Sequence, residues 1–193
     1  MQSKKFILSI CLFILTAFLI TACSDSNSSS GGGSIEQKVT KVIMNDYTRY
    51  ALFPDGSLFA WGSNQYGMLG SGSDAMNSEK PVYITENIKE IFADDNVTYA
   101  VTYDNILYAW GSNQNGQLGV NNTVEYVKTP TKLSGINGAV NKVYTGDSVY
   151  VITNDNAVYS FGSNEFWFEY IQYNGLLGRD GSNYEPLQVL FEK

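Results

Sequence analysis

Carboxylates have the widest chemical scope in this chain, because histidine is absent and only two cysteines, Cys11 and Cys23, are present. That inventory excludes the usual zinc sites and the Ser-His or Cys-His nucleophile pairs, given that the exported part described below keeps no free thiol. Two carboxylate pairs stand out: the adjacent Asp94-Asp95, and Glu165 with Glu169 four residues on. A glycosidase needs two carboxyl groups facing each other at a set separation. Sequence spacing does not supply facing, so solvated loop charge is the simpler account. Asp74, Glu79 and Asp180, among neighbouring Asn and Ser, offer hard oxygen ligands for weak calcium binding, but no twelve-residue loop with alternating ligands is present. Gly70-Ser71-Gly72 and Gly31-Gly32-Gly33 neither follow a strand nor open a helix, so neither is a phosphate cradle. No catalytic residue, metal ligand or cofactor site is assigned.

Beyond the first 22 residues the chain has ten basic and nineteen acidic residues, a net of −9. Phosphate binding needs a positive face that releases counterions, so nucleic acid is not an expected partner. The densest local feature is aromatic. Within residues 165–174, five of ten side chains are aromatic: Phe166, Trp167, Phe168, Tyr170 and Tyr173. Rings supply contact area at low entropic cost, and loops on rigid scaffolds are the usual place for binding sites. A binding loop for a protein or surface polymer is one reading. A cover folded over the exposed face of the last repeat is the other.

The elements that must position these residues repeat. Ala51-Leu52-Phe53-Pro54-Asp55-Gly56-Ser57-Leu58-Phe59-Ala60-Trp61-Gly62-Ser63-Asn64 has counterparts ending at Asn113 and Asn164, with Trp61, Trp110 and Phe161 spaced 49 and 51 residues apart. A period near 50 built from short strands is a propeller signature. Asp55-Gly56, Asp104-Asn105 and Asp155-Asn156 tolerate positive φ and predict two-residue hairpins of the primed type. The ring after each hairpin is expected to anchor the core. In Gly67-Met68-Leu69-Gly70 and Gly116-Gln117-Leu118-Gly119 two glycines frame a Leu that plugs inward, and Pro81 and Pro130 are expected to open edge segments. Repeated tyrosines at 99, 108, 150 and 159 read as packing residues. Copy three departs: Gly62 to Gly67 and Gly111 to Gly116 are five residues each, whereas Gly162 to Gly175 is thirteen, and the insertion carries the aromatic cluster.

These residues resemble the regulator of chromosome condensation repeat family, whose unit runs small-apolar, D-G, apolar-Tyr, W-G-x-N-x-x-G-Q-L-G. The resemblance covers residues 35–193 and implies an all-β fold of propeller-type blades made of short antiparallel strands. It also implies action through protein–protein contact. A His common before the first hairpin strand of the family is replaced by Thr48, Val97 and Ser148. Seven units normally close the ring, and three are legible here, so an incomplete arc with an open blade face at each end is expected. Copies of the chain associating, another chain completing the ring, or a fragment without activity of its own would each account for three units.

The N-terminus predicts an address. Lys4 and Lys5 precede an apolar run over residues 6–20, which suits a signal h-region better than a membrane span. Leu19-Ile20-Thr21-Ala22-Cys23 resembles the bacterial lipobox, which implies cleavage after Ala22 and lipid on Cys23. Several acyl chains together anchor stably. The expected organisation is a signal peptide at 1–22, a lipidated Cys23 with a Ser/Gly tether to residue 34, and the repeat domain at 35–193. That places the domain in the cell envelope, outside the cytoplasmic membrane. The expected function is a membrane-anchored scaffold for protein or surface-polymer binding. The alternatives are a partner-completed fragment and a glycan- or peptide-acting enzyme. Guanine-nucleotide exchange does not carry over from the eukaryotic namesake, because the fold does not bring it.

Overall fold

Short apolar stretches on either side of each Asp-centred turn pair into antiparallel ladders, and three such groups give three four-stranded sheets. The structure is a computed structural model, and it describes residues 38–45, 47–94, 96–120, 124–146, 148–168, 171–174 and 184–190. The sheets all lie in the unit Val39–Lys193. The first contains β1 (Lys41–Met44), β2 (Thr48–Leu52), β3 (Leu58–Ser63) and β4 (Asn77–Thr85), in that spatial order. The second contains β5 (Ile88–Asp94), β6 (Val97–Thr102), β7 (Leu107–Ser112) and β8 (Tyr126–Lys132). The third contains β9 (Val140–Tyr144), β10 (Ser148–Thr153) and β11 (Val158–Gly162), closed by the short β14 (Leu187–Gln188). Between β11 and β14 the insertion forms its own two-stranded ribbon, β12 (Glu165–Phe168) and β13 (Ile171–Asn174). A single 3-10 turn at Gln65–Gly67 is the only helical element among the described residues. No helix among them is long and apolar enough to cross a membrane.

The hairpins differ from the two-residue turns expected. Phe53 N–H donates to Ser57 O at 3.0 Å and Gly56 N–H to Phe53 O at 3.0 Å, so the loop is the three residues 54–56. The same pair of bonds recurs at Thr102/Ile106 and Thr153/Ala157. Only the third loop position is left-handed, with φ of 82° at Gly56, 59° at Asn105 and 66° at Asn156. This is a type I turn followed by a left-handed residue. Pro54 sets the φ that its first position needs. Pro81 and Pro130 lie on edge strands as expected, β4 and β8, but inside them and not at their start, each at a register irregularity.

Side-chain burial shows which faces are covered. All six residues of β6 are buried, so the second sheet is packed on both sides. Along β10 the pattern alternates: Val149, Val151 and Thr153 are buried, while Ser148, Tyr150 and Ile152 are half-buried. Two apolar cores result. One joins sheets one and two through Tyr50, Leu58, Leu69, Ile91, Ala100 and Trp110. The other joins sheets two and three through Tyr99, Leu118, Val143, Val149, Val151 and Phe161. Leu69 and Leu118 plug inward as expected. Of the repeated tyrosines, Tyr99 and Tyr159 are buried and Tyr108 and Tyr150 half-buried.

Candidate functional site

Each joint between sheets is built from one loop and one face. In the first, the Gly67-Met68-Leu69-Gly70 loop presents the Met68 carbonyl to two donors. Tyr50 Oη, from the same sheet, lies at 2.6 Å, and Trp110 Nε1, from the next sheet, at 2.9 Å. Tyr50 Oη also lies 2.7 Å from Thr98 Oγ1. The rings of Tyr50 and Trp110 meet edge to face, with centroids 6.5 Å apart. Gly70 is required here: φ is +75°, and a Cβ would stand 2.7 Å from Trp110 Nε1. Burial pushes the Tyr50 phenol well up, and the polar hydrogens of Thr98 and Trp110 beside it only partly offset that. The second joint keeps the frame and drops donors. Tyr99 donates to Gln117 O, and Phe161 packs where a Gly119 Cβ would lie 2.8 Å from its ring. At the register positions of Thr98 and Trp110, however, stand Val149 and Phe161.

The loops are braced by asparagines that the sequence reading passed over. Asn64 Nδ2 donates to Ser73 O at 2.9 Å and Ala75 O at 2.8 Å, while its Oδ1 accepts from Leu69 N–H at 3.1 Å. Asn113 repeats this with Val124 O at 3.2 Å and Leu118 N–H at 3.1 Å. Their fixed place three residues after each Trp was the available signal. Across the surface of the first joint, Lys128 pairs with Asp74 and Lys41 with Glu90. The Lys128 ammonium holds the Asp74 carboxyl below the usual carboxylate range. Asp74 is therefore engaged in an ion pair. Among the described residues no group of three or more His, Cys, Asp or Glu could hold a metal ion.

The first sheet presents a matching face with no sheet packed on it among the described residues. Arg49 pairs with Trp61 in the register of Thr98 with Trp110. Trp61 was expected to be a core anchor like Trp110 and Phe161, which are fully buried, but it is half-buried. It lines a shallow groove of about 480 Å³ with Arg49, Met76, Asn77 and Glu79. The same contrast runs along the inner strands. Val42, Ile91 and Val143 occupy one register position and are 52%, 1% and 6% exposed. The remainder of this face covers itself, as Phe59 lies edge to face between Phe53 at 5.4 Å and Tyr83 at 5.5 Å.

The aromatic insertion is a ribbon and not a loop. Its backbone pairs Phe166 with Tyr173, Trp167 with Gln172 and Phe168 with Ile171. Tyr170, Glu169, Asp180 and Asp95 lie outside the described residues, as does Cys23 with the whole of 1–37. Glu165 is exposed at the start of the ribbon.

Comparison with known proteins identifies the repeat. The profile of the Regulator of chromosome condensation (RCC1) repeat matches residues 55–101 and 104–152, and a second profile of that repeat matches 88–117. Prp20p from Saccharomyces cerevisiae, solved in a study of its binding to Gsp1p and histones, superposes with a TM-score of 0.65 at 21% identity, over 79% of this chain and 38% of that one. Human WBSCR16 gives 0.65 at 19%, over 80% and 38%. Yeast RCC1 (Prp20) bound by Kap60 gives 0.65 at 22%, over 79% and 37%. The chain thus spans less than two fifths of each of these structures. No curated protein sequence matches it.

Proposed function

Since the chain belongs to the regulator of chromosome condensation (RCC1) repeat family, we propose that it is an exported, lipid-anchored scaffold that binds another protein through surfaces borne on its propeller sheets. The observation that carries the binding role is the ribbon β12–β13. It is an antiparallel pair placed where the sister units have only a short turn, with Phe166, Trp167, Phe168 and Tyr173 in its strands. Aromatic residues of this kind dominate binding hot spots. The yeast protein of similar fold was studied for its binding to Gsp1p and histones and was solved with Kap60 bound to it, which supports a role in protein contact. A surface polymer is the other occupant the ribbon would suit. Cys23 is the proposed lipid site, on the strength of the charged start, the apolar run and the box that ends it. The Ser/Gly stretch up to residue 34 then acts as a tether, about 20 Å in typical reach.

Two experiments test the two parts. Expressed in a bacterium, the full chain should incorporate labelled palmitate and lose both the label and the cleavage of residues 1–22 as Cys23→Ser; equal labelling and cleavage of both forms would overturn the anchor. A photo-crosslinking residue at position 167 should trap one discrete protein partner in intact cells, and Trp167→Ala with Phe168→Ala should weaken its capture at least tenfold with an unchanged melting temperature. A drop in melting temperature with unchanged capture would make the ribbon a cover for the third sheet.

A further inference from the structure

Asparagine followed by glycine is the step at which a backbone most readily attacks a side chain of its own, because no Cβ shields the glycine nitrogen. The sequence has three such steps, Asn115-Gly116, Asn137-Gly138 and Asn174-Gly175, and the first two fall wholly within the described residues. The fold treats these two differently. Gly116 is buried, and its N–H donates to Asn113 O at 3.0 Å. Asn137 and Gly138 are both exposed, in the connection from β8 to β9. Neither the Gly138 N–H nor the Asn137 side-chain amide has a hydrogen-bond partner among the described residues. The backbone on either side is nevertheless held. Leu133 N–H donates to Leu107 O at 2.9 Å, and Asn154 N–H to Ala139 O at 2.9 Å. Between these anchors the Tyr159 hydroxyl accepts from Asn137 N–H and donates to Asn137 O, both at 3.1 Å. Tyr159 itself belongs to the core that joins sheets two and three.

We propose that Asn137 is a self-modification site, converted by Gly138 to a succinimide and then to aspartate or isoaspartate. The Gly138 nitrogen bonds to Asn137 Cγ and gives up its proton; the Cγ–Nδ2 bond breaks, and ammonia leaves with that proton. Water then opens the ring. Addition at Cγ restores the ordinary backbone with an aspartate, whereas addition at the main-chain carbonyl carbon leaves the chain routed through Cγ as isoaspartate. Nothing is oxidised or reduced, and water is the only co-reactant. Isoaspartate lengthens by one methylene a connection held at both ends. It also turns the carbonyl that Tyr159 grips into a charged carboxylate outside the main chain. The third sheet thereby loses a fixed point against the second. The change is slow and one-way, so it writes the age of the molecule into the joint between two sheets. It depends on neither the anchor nor the ribbon.

The purified full chain, kept for days at mildly alkaline pH, is digested and read by peptide mass mapping. Asn137 should gain about one mass unit at least about tenfold faster than Asn115, the ratio expected when a hydrogen bond and burial guard one nitrogen and not the other. Fragmentation by electron transfer identifies the isoaspartate. In concentrated urea the two asparagines should convert at matching rates, since only the fold separates them. Asn137→Gln should abolish the change at 137, because the longer side chain would have to close a six-membered ring. Aged wild-type chain should melt lower than fresh chain, and aged Asn137→Gln should not. Equal conversion in the folded chain, or faster conversion of Asn115, overturns the proposal. So does a ratio that persists in urea, or a melting temperature that falls equally in Asn137→Gln or not at all.

Discussion

The hydroxyl of Tyr50 has one proton and two oxygen neighbours, which fixes the direction of the bonds around it. A carbonyl cannot donate, so the proton goes to Met68 O and Thr98 Oγ1 donates in return. Met68 O uses its second lone pair for Trp110. None of the buried side-chain polar atoms described lacks a partner. Thr98→Val, the change present naturally at Val149, should therefore cost about 1 kcal/mol in urea unfolding, because Tyr50 keeps its carbonyl. Gly70→Ala should cost more, about 3 kcal/mol, from a left-handed backbone and a methyl against the Trp110 ring. Burial raises the phenols of Tyr50 and Tyr99 above their ordinary value. A folded pKa above the unfolded one means the native state holds the proton more tightly. The contribution of these two groups to stability should therefore be level below about pH 10 and fall above it. A pH series of thermal melts checks this, and Tyr50→Phe should make the alkaline fall shallower.

At the scale of the element, the sequence disclosed strands better than connections. The short strands on either side of each Asp-centred turn were legible from the repeat, whereas the burial of all six residues of β6 follows from sheets packed on both its faces. The hairpins were misjudged for a local reason. Asp-Gly and Asp-Asn fit either a primed two-residue turn or the end of a type I turn, and the residue before them, Pro54 in copy one, selects the second. Gly56→Ala should then cost about 1 kcal/mol, while Asn105→Gly should be close to neutral, compared by chemical denaturation. The brace on each loop should be dearer to lose. Asn113→Ala removes bonds to Val124 O and Leu118 N–H and leaves both backbone groups in need of water, for about 2 kcal/mol. The insertion read as a loop because its aromatic content carries no turn signal, and pairing of Phe166 with Tyr173 emerges only from the backbone.

Across the whole molecule, a residue's role depends on its place in the repeat and on what stands next to that repeat. Val42 and Ile91 share a register position and have similar side chains, yet one is about half exposed and the other buried. Ile91→Ala should cost about 3 kcal/mol, whereas Val42→Ala should stay within about 0.5 kcal/mol at concentrations where the chain is monomeric. Trp61 shows why the motif alone misplaces the ring even where the repeat count implies an open face: three copies of one motif look alike in sequence, and the neighbour that buries the ring lies outside the motif. The matched repeats at 55–101 and 104–152 also run out of step with the sheets. Each begins at a hairpin, supplies the outer half of one sheet, and crosses to supply the inner half of the next. A gene duplication of one such segment would add a whole sheet with its strands hydrogen-bonded to old chain on both sides. Repeat number can therefore change by one without an ancestor that carried half a sheet.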